Sequence, residues 1–205
     1  MSAKSNRGLR FGPLGEGAVH VCVDMQRIFA EDTPWHTPWM GRVLPGVCEL
    51  ARARPERTIF TRFIPPDHPG QGSGSWRRYY QRWAMMTRQT LPDELIELVP
   101  PLAKLAPPAK LVDKRVYSPW FGSALSALLH DGDIDTLIIT GGETDVCVLS
   151  TVLGAIDLGY RVVLVEDALC SSSDETHDAL MTVYANRYSQ QVELVSVGDV
   201  LKAWR

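Results

Sequence analysis

Asp24, Lys114 and Cys147 stand just beyond separate short apolar runs, and their types together could carry acyl-transfer chemistry. Cys147 lies in TGGETDVCVLS, residues 140–150, where a pair of glycines precedes the predicted start of a helix. A thiol attacks a carbonyl carbon as the thiolate, and a free cysteine is mostly protonated at neutral pH. The helix start would offer Cys147 unpaired backbone N–H groups and the positive end of a dipole. Lys114 would favour the thiolate further. Asp24 would take the thiol proton and return it to a leaving amine. Gly141 and Gly142 let the main chain turn at little steric cost, and the N–H groups of Glu143 and Cys147 are candidates for an oxyanion hole. Each residue also has a plain structural reading: Asp24 as a turn residue, Lys114 as solvated surface, Cys147 as core.

For these residues to meet, the intervening chain must fold so that strand ends converge. Short β-branched runs at Ala18–Val23, Thr58–Phe63, Lys110–Val112, Thr136–Thr140, Arg161–Val165 and Val192–Val197 read as strands. Helical patterns lie between them, near Val43–Arg54, Ser75–Arg88, Gly122–His130, Asp145–Leu158 and Asp174–Arg187. Such interleaving predicts an α/β fold: a mostly parallel sheet of six strands between two layers of helices, doubly wound. Ligands in such sheets bind beyond the carboxyl ends of the strands, where the winding reverses. Ser172 and Glu175 have the spacing of a capping box. VPPLAKLAPPAK is too rich in proline for one continuous helix.

The chain has 205 residues, 45% hydrophobic and 22% charged, enough for one domain with a sizeable core. Residues 1–17 read as a flexible N-terminal arm and 18–205 as the single folded domain. The net charge of −3 offers nothing to nucleic acid or an anionic membrane. No apolar run has the length of a membrane span and no leader is visible, so a cytoplasmic location is expected. The four cysteines show no CxxC spacing; Cys22 and Cys48 read as core.

VDMQRIF, VDKRVYSPW and ITGGETDVCVLSTVLGAIDLGYRVVLVEDALCSSSDETH together resemble the isochorismatase-like cysteine hydrolases, a superfamily that includes nicotinamidases, N-carbamoylsarcosine amidohydrolases and ureido-amidohydrolases. The resemblance runs from about Val19 to about Val197. It implies an Asp24–Lys114–Cys147 triad, a non-proline cis peptide between Gly142 and Glu143, and an oxyanion hole made by the Glu143 and Cys147 amides. It also implies a homo-oligomer, dimer or tetramer. Keeping the cysteine favours C–N hydrolysis of a small linear amide, carbamoyl or ureido compound through a thioester. A vinyl-ether hydrolase and a catalytically silent binding module remain alternatives.

This chain departs from the family pattern in two places. Nicotinamidases bind a metal through an Asp-x-His arrangement after the second strand; here Asp67 and His68 are adjacent, so no metal and no cofactor is expected. Glu143 stands where a small residue is common. Gln26, Phe29, Trp35, Trp39, Tyr117 and Trp120 follow two of the catalytic strand ends and are candidate pocket residues for a small-molecule substrate. The stripe Trp76, Tyr79, Tyr80 and Trp83 reads instead as core or subunit interface. Arg77, Arg78 and Arg82, on or near its other face, read as solvated.

Overall fold

The computed structural model describes residues 8–204. Its centre is one sheet of six strands: β1 (Ala18–Val23), β2 (Thr58–Phe63), β3 (Lys110–Lys114), β4 (Thr136–Gly142), β5 (Arg161–Cys170) and β6 (Val192–Val195). They lie in the order β3-β2-β1-β4-β5-β6, and all five pairings are parallel. The expected mostly parallel sheet is thus wholly parallel. The winding reverses between β1 and β4, so a crevice opens at their carboxyl ends.

The central strands are largely apolar because both faces of the sheet are covered. Every residue of β1 and β4 is buried. Side chains alternate between two cores, as the period of two along a strand demands. Val19, Val21 and Val23 join Leu137, Ile139, Val162 and Leu164 on one face. Ala18 and Cys22 join Ile138, Val163 and Val165 on the other. Each fully buried Val, Leu or Ile contributes about 1.5–3 kcal/mol relative to exposure.

The first of these faces is covered by α5 (Leu125–Asp131), α6 (Cys147–Asp157) and α7 (Asp174–Asn186) through Leu125, Val148, Val152 and Tyr184. The second is covered chiefly by α2 (Met40–Ala53) and α8 (Val197–Ala203) through Val47, Leu50 and Val200. Three further helices lie in the connections: α1 (Arg27–Ala30), α3 (Ser75–Arg82) and α4 (Pro100–Ala103). Among the described residues, no helix is long and apolar enough to cross a membrane.

Several boundaries differ from the sequence expectation. β3 runs to Lys114, β4 to Gly142 and β5 to Cys170, because the polar rim residues continue the parallel ladder. β6 ends at Val195, and the chain turns at once into α8. Ser196 caps that helix reciprocally with Asp199, a capping box the sequence reading passed over. α7 is capped by Ser173, which accepts from the Thr176 amide, and not by the expected pair Ser172 and Glu175. α3 stops at Arg82, well short of Arg88, as Trp83 leaves helical geometry and packs against Trp35.

The expected flexible arm also needs correction. Residues 1–7 lie outside the described residues, but the chain from Gly8 onward is strapped to its own domain. The Gly8 amide donates to the Leu194 carbonyl at 2.7 Å. The fully buried Glu193 carboxylate accepts from the amides of Arg10 and Phe11. It also pairs with Arg161, whose guanidinium reaches the carbonyls of Gly12 and Pro13. Burial alone would raise the Glu193 pKa, yet the hydrogen bonds from Arg161, Arg10 and Phe11 outweigh it and hold the carboxyl below its ordinary value.

A carboxylate held low in the folded state stabilises above its unfolded-state pKa, and that contribution is lost as the pH falls. Glu193→Gln is therefore expected to cost about 1–3 kcal/mol near neutrality. In thermal melts, its deficit should shrink as the pH falls through and below the ordinary carboxylate range. A deficit independent of pH would show that the charge contributes nothing.

Candidate active site

The first residue beyond β1 is Asp24, held in the left-handed region at φ 49°. Its Oδ1 accepts a hydrogen bond from Thr61 Oγ1 at 2.6 Å, and its own amide donates back to that hydroxyl at 3.2 Å. Thr61 belongs to β2, so the neighbouring strand sets the carboxylate's orientation. Lys114, the last residue of β3, pairs with Phe63 in the ladder and passes its ammonium 5.1 Å from the centre of that ring. Nζ reaches Asp24 Oδ2 at 2.7 Å and donates to the Val116 carbonyl at 3.2 Å. Both side chains of this ion pair are essentially inaccessible to water.

Cys147 is the first residue of α6, and its thiol lies close enough to Asp24 and Lys114 for both charges to act on it. The three residues that the sequence singled out are therefore brought together. Between β4 and α6 the peptide bond from Gly142 to Glu143 is cis. Gly141 has φ +103°, and a Cβ there would stand 2.1 Å from the Val23 carbonyl oxygen, so this approach of β4 to β1 admits only glycine.

The loop is tied to the end of β5 on several sides. The Thr144 amide donates to the Cys170 carbonyl at 2.9 Å, and its hydroxyl bonds the same carbonyl and His177 Nδ1. Asp145 accepts from the Ser171 hydroxyl, and Glu143 Oε1 accepts from the Ser172 amide at 3.1 Å. Sequence reading missed Thr61. The hydroxyl of TIFTRF, buried among apolar neighbours and aimed at the rim, was the available signal for Thr61.

The charges in this cluster oppose one another. Burial pushes the Cys147 thiol well above its ordinary pKa; Lys114 pulls it down, and the Asp24 carboxylate pushes it up again. The expectation of a helix-activated thiolate is thus reversed in the free protein, where the thiol rests protonated. Burial alone would lower the Lys114 pKa, but Asp24 and Cys147 outweigh it and keep the ammonium charged. An acceptor for the thiol proton is already in place.

A cavity of about 290 Å³ opens above Cys147. Phe29, Trp35 and Tyr117 line it as expected, with Phe63. Tyr79 and Trp83 line it too, so the α3 stripe serves the pocket as well as the core. Glu143, Val146 and Ser172 complete the wall beside Cys147, with Pro34 and His36 from the loop before α2.

The other three candidate pocket residues lie elsewhere. Gln26 is fully buried, and its amide bridges the main chain of Phe63 and the Ile96 carbonyl. Trp39 stacks beneath the Arg42 guanidinium. Trp120 packs on Gly154 of α6 and donates to the Thr151 carbonyl. His20, the buried histidine of β1, bonds Thr140, and burial lowers its pKa to about 3, so it is a neutral core group. Asp67 is exposed, and His68 faces Gln89. Among the described residues, no three His, Cys, Asp or Glu side chains gather as a metal site.

The model of the isochorismatase domain matches residues 18–195. The chain belongs to the isochorismatase-like hydrolases. It is similar to an isochorismatase family protein of Bacillus subtilis, 37% identical over 70 residues that cover 34% of this chain and 37% of that one. It is similar also to a ureidoacrylate amidohydrolase of Variovorax paradoxus, 34% identical over 106 residues, 48% of this chain and 42% of that one. The chain thus spans less than half the length of these curated relatives. Over its whole length the fold matches that of a cysteine hydrolase from Pseudomonas syringae, with a TM-score of 0.81 at 23% identity, covering 99% of this chain and 98% of that one.

As an isochorismatase-like hydrolase with a protonated resting thiol, the protein is expected to alkylate slowly at Cys147 with iodoacetamide at pH 7.5. Asp24→Asn removes the charge that raises the thiol, so alkylation should accelerate, about tenfold for each unit the pKa falls. Lys114→Met should slow it. The opposite ranking, followed by mass spectrometry of the Cys147 peptide, would contradict this electrostatic account.

Proposed function

We propose that the protein is a cysteine amidohydrolase, cleaving the C–N bond of a small amide, carbamoyl or ureido compound through a thioester on Cys147. The observation that carries this reading is the buried Asp24–Lys114 ion pair, 2.7 Å long, set beside the thiol that lines the cavity. A vinyl-ether hydrolase needs an acid but no thiol. Here the thiol is the reactive group that faces the cavity.

In this reading Asp24 takes the Cys147 proton as Sγ attacks the substrate carbonyl carbon. The ion pair makes the transfer feasible: Lys114 stabilises the developing thiolate while Asp24 becomes neutral. The oxyanion of the tetrahedral intermediate is received by the main-chain N–H groups of Glu143 and Cys147. Asp24 then gives its proton to the leaving nitrogen, which departs as ammonia or an amine and leaves the acyl group on sulfur. Water attacks the thioester with Asp24 again as base, and the proton returns to Sγ as the acid is released. Thr61 keeps one oxygen of Asp24 occupied, so the other handles the proton.

The test is release of ammonia from a panel of small amides and ureides by the purified protein. Cys147→Ala should lower kcat/KM by about 10⁴-fold or more, as expected when a nucleophile that works as one unit with its base is removed. Asp24→Asn should do the same. Turnover that survives Cys147→Ala would refute the thioester route.

A further inference from the structure

The charge balance of the cavity bears on what it accepts. Its walls are rings: Phe29, Trp35, Tyr79, Trp83 and Tyr117. Burial pushes the phenols of Tyr79 and Tyr117 up from their ordinary value, so both are neutral. Among the described residues, no lysine or arginine lines the cavity. The ammonium nearest to it, Lys114, is committed to Asp24 at 2.7 Å. The arginines of α3 are not part of its lining: Arg77, Arg78 and Arg82 are exposed, and the Arg82 guanidinium lies 5.7 Å from the centre of the Trp83 ring. The carboxylate on the wall is Glu143, half-buried, with one oxygen held by the Ser172 amide. His36 stands at the exposed rim.

A carboxylate entering this space would lose its hydration to apolar walls, find no cation, and meet a like charge. An uncharged ring or alkyl group would meet aromatic surface at no such cost. We infer that the site takes amides or ureides whose distal portion is aromatic or apolar and carries no negative charge, and that Glu143 is the residue that sets this preference. The inference rests on the amide-hydrolysis reading for the scissile end, but its charge selectivity is read from the wall alone.

The test separates charge from size. 2-(4-Nitrophenyl)acetamide and 4-(carbamoylmethyl)benzoate have distal groups of nearly one shape, neutral in the first and anionic in the second. Their binding is measured by calorimetry on the Cys147→Ala protein, which cannot turn them over. The nitro compound should bind at least tenfold more tightly than the carboxylate. Adding Glu143→Gln should shrink that ratio at least fivefold, while Trp83→Ala should weaken both ligands and leave the ratio in place. His36→Gln should also leave the ratio in place, since the imidazole stands at the rim.

Equal binding of the two, tighter binding of the carboxylate, binding of neither, or a ratio untouched by Glu143→Gln would overturn the inference. If the Glu143 variant does not fold, the ratio in the Cys147→Ala protein decides alone. A protein that shows the preference yet never releases ammonia loses the hydrolytic reading and keeps this one. Cys147-dependent ammonia release without the preference does the reverse.

Discussion

The buried ion pair between Asp24 and Lys114 is the constraint around which the rest is arranged. Removing two charges from water costs several kcal/mol per ion, and mutual attraction offsets it only with good geometry and further hydrogen bonds. Here the further partners are explicit: Thr61 on one Asp24 oxygen, the Val116 carbonyl on Nζ, and the Cys147 thiol beside both. Lys114 starts on the outermost strand and must cross the end of β2 to reach β1. The flat ring of Phe63 gives its stem a surface to cross on. Strand order therefore matters as much as residue type. With β2 alone between β1 and β3, one lysine length spans the gap.

The second requirement is a loop rigid enough to hold backbone donors beside the thiol. It is met by moving β4 against β1 at Gly141, where no Cβ fits, and by carrying β5 past its expected end. The register between β4 and β5 shifts between Ile139 and Gly141, so that Gly141 and Gly142 face Leu169 and Cys170. That shift brings Ser171 and Ser172 to Asp145 and Glu143. The bulge thus places part of the pocket wall; it is no mere irregularity of the sheet.

How much of this was legible in the sequence depends on the range of the interactions involved. The strands were readable because apolar β-branched runs buried on both faces leave a local signature, and the bounds of β1 and β2 agree with the structure. The convergence of Asp24, Lys114 and Cys147 was readable because each lies at or shortly beyond the end of a strand, and parallel strands end on one side. What failed was set by partners distant in the chain. Gln26 and Trp120 look like pocket residues by position, but their polar groups satisfy the main chain of Phe63, Ile96 and Thr151 instead. Tyr79 and Trp83 look like a packing stripe, and only the fold over Cys147 shows that they wall a cavity. The protonation of the thiol could not be read locally either, since burial and two distant charges decide it.

The strap formed by residues 8–14 has a consequence for the sheet as a whole. β6 is an edge strand, and an edge with free main-chain groups is a template on which another chain can pair. The strap takes the Leu194 carbonyl, and its Glu193 anchor holds two further residues of the arm alongside. One border of the sheet is in this way closed by the protein's own leading segment. The opposite border, β3, carries Lys110 and Asp113 on either side of the exposed Leu111, and such charges discourage uncontrolled pairing. The two edges are guarded by different means, one by cover and one by charge, so trimming the leading residues would unguard β6 alone.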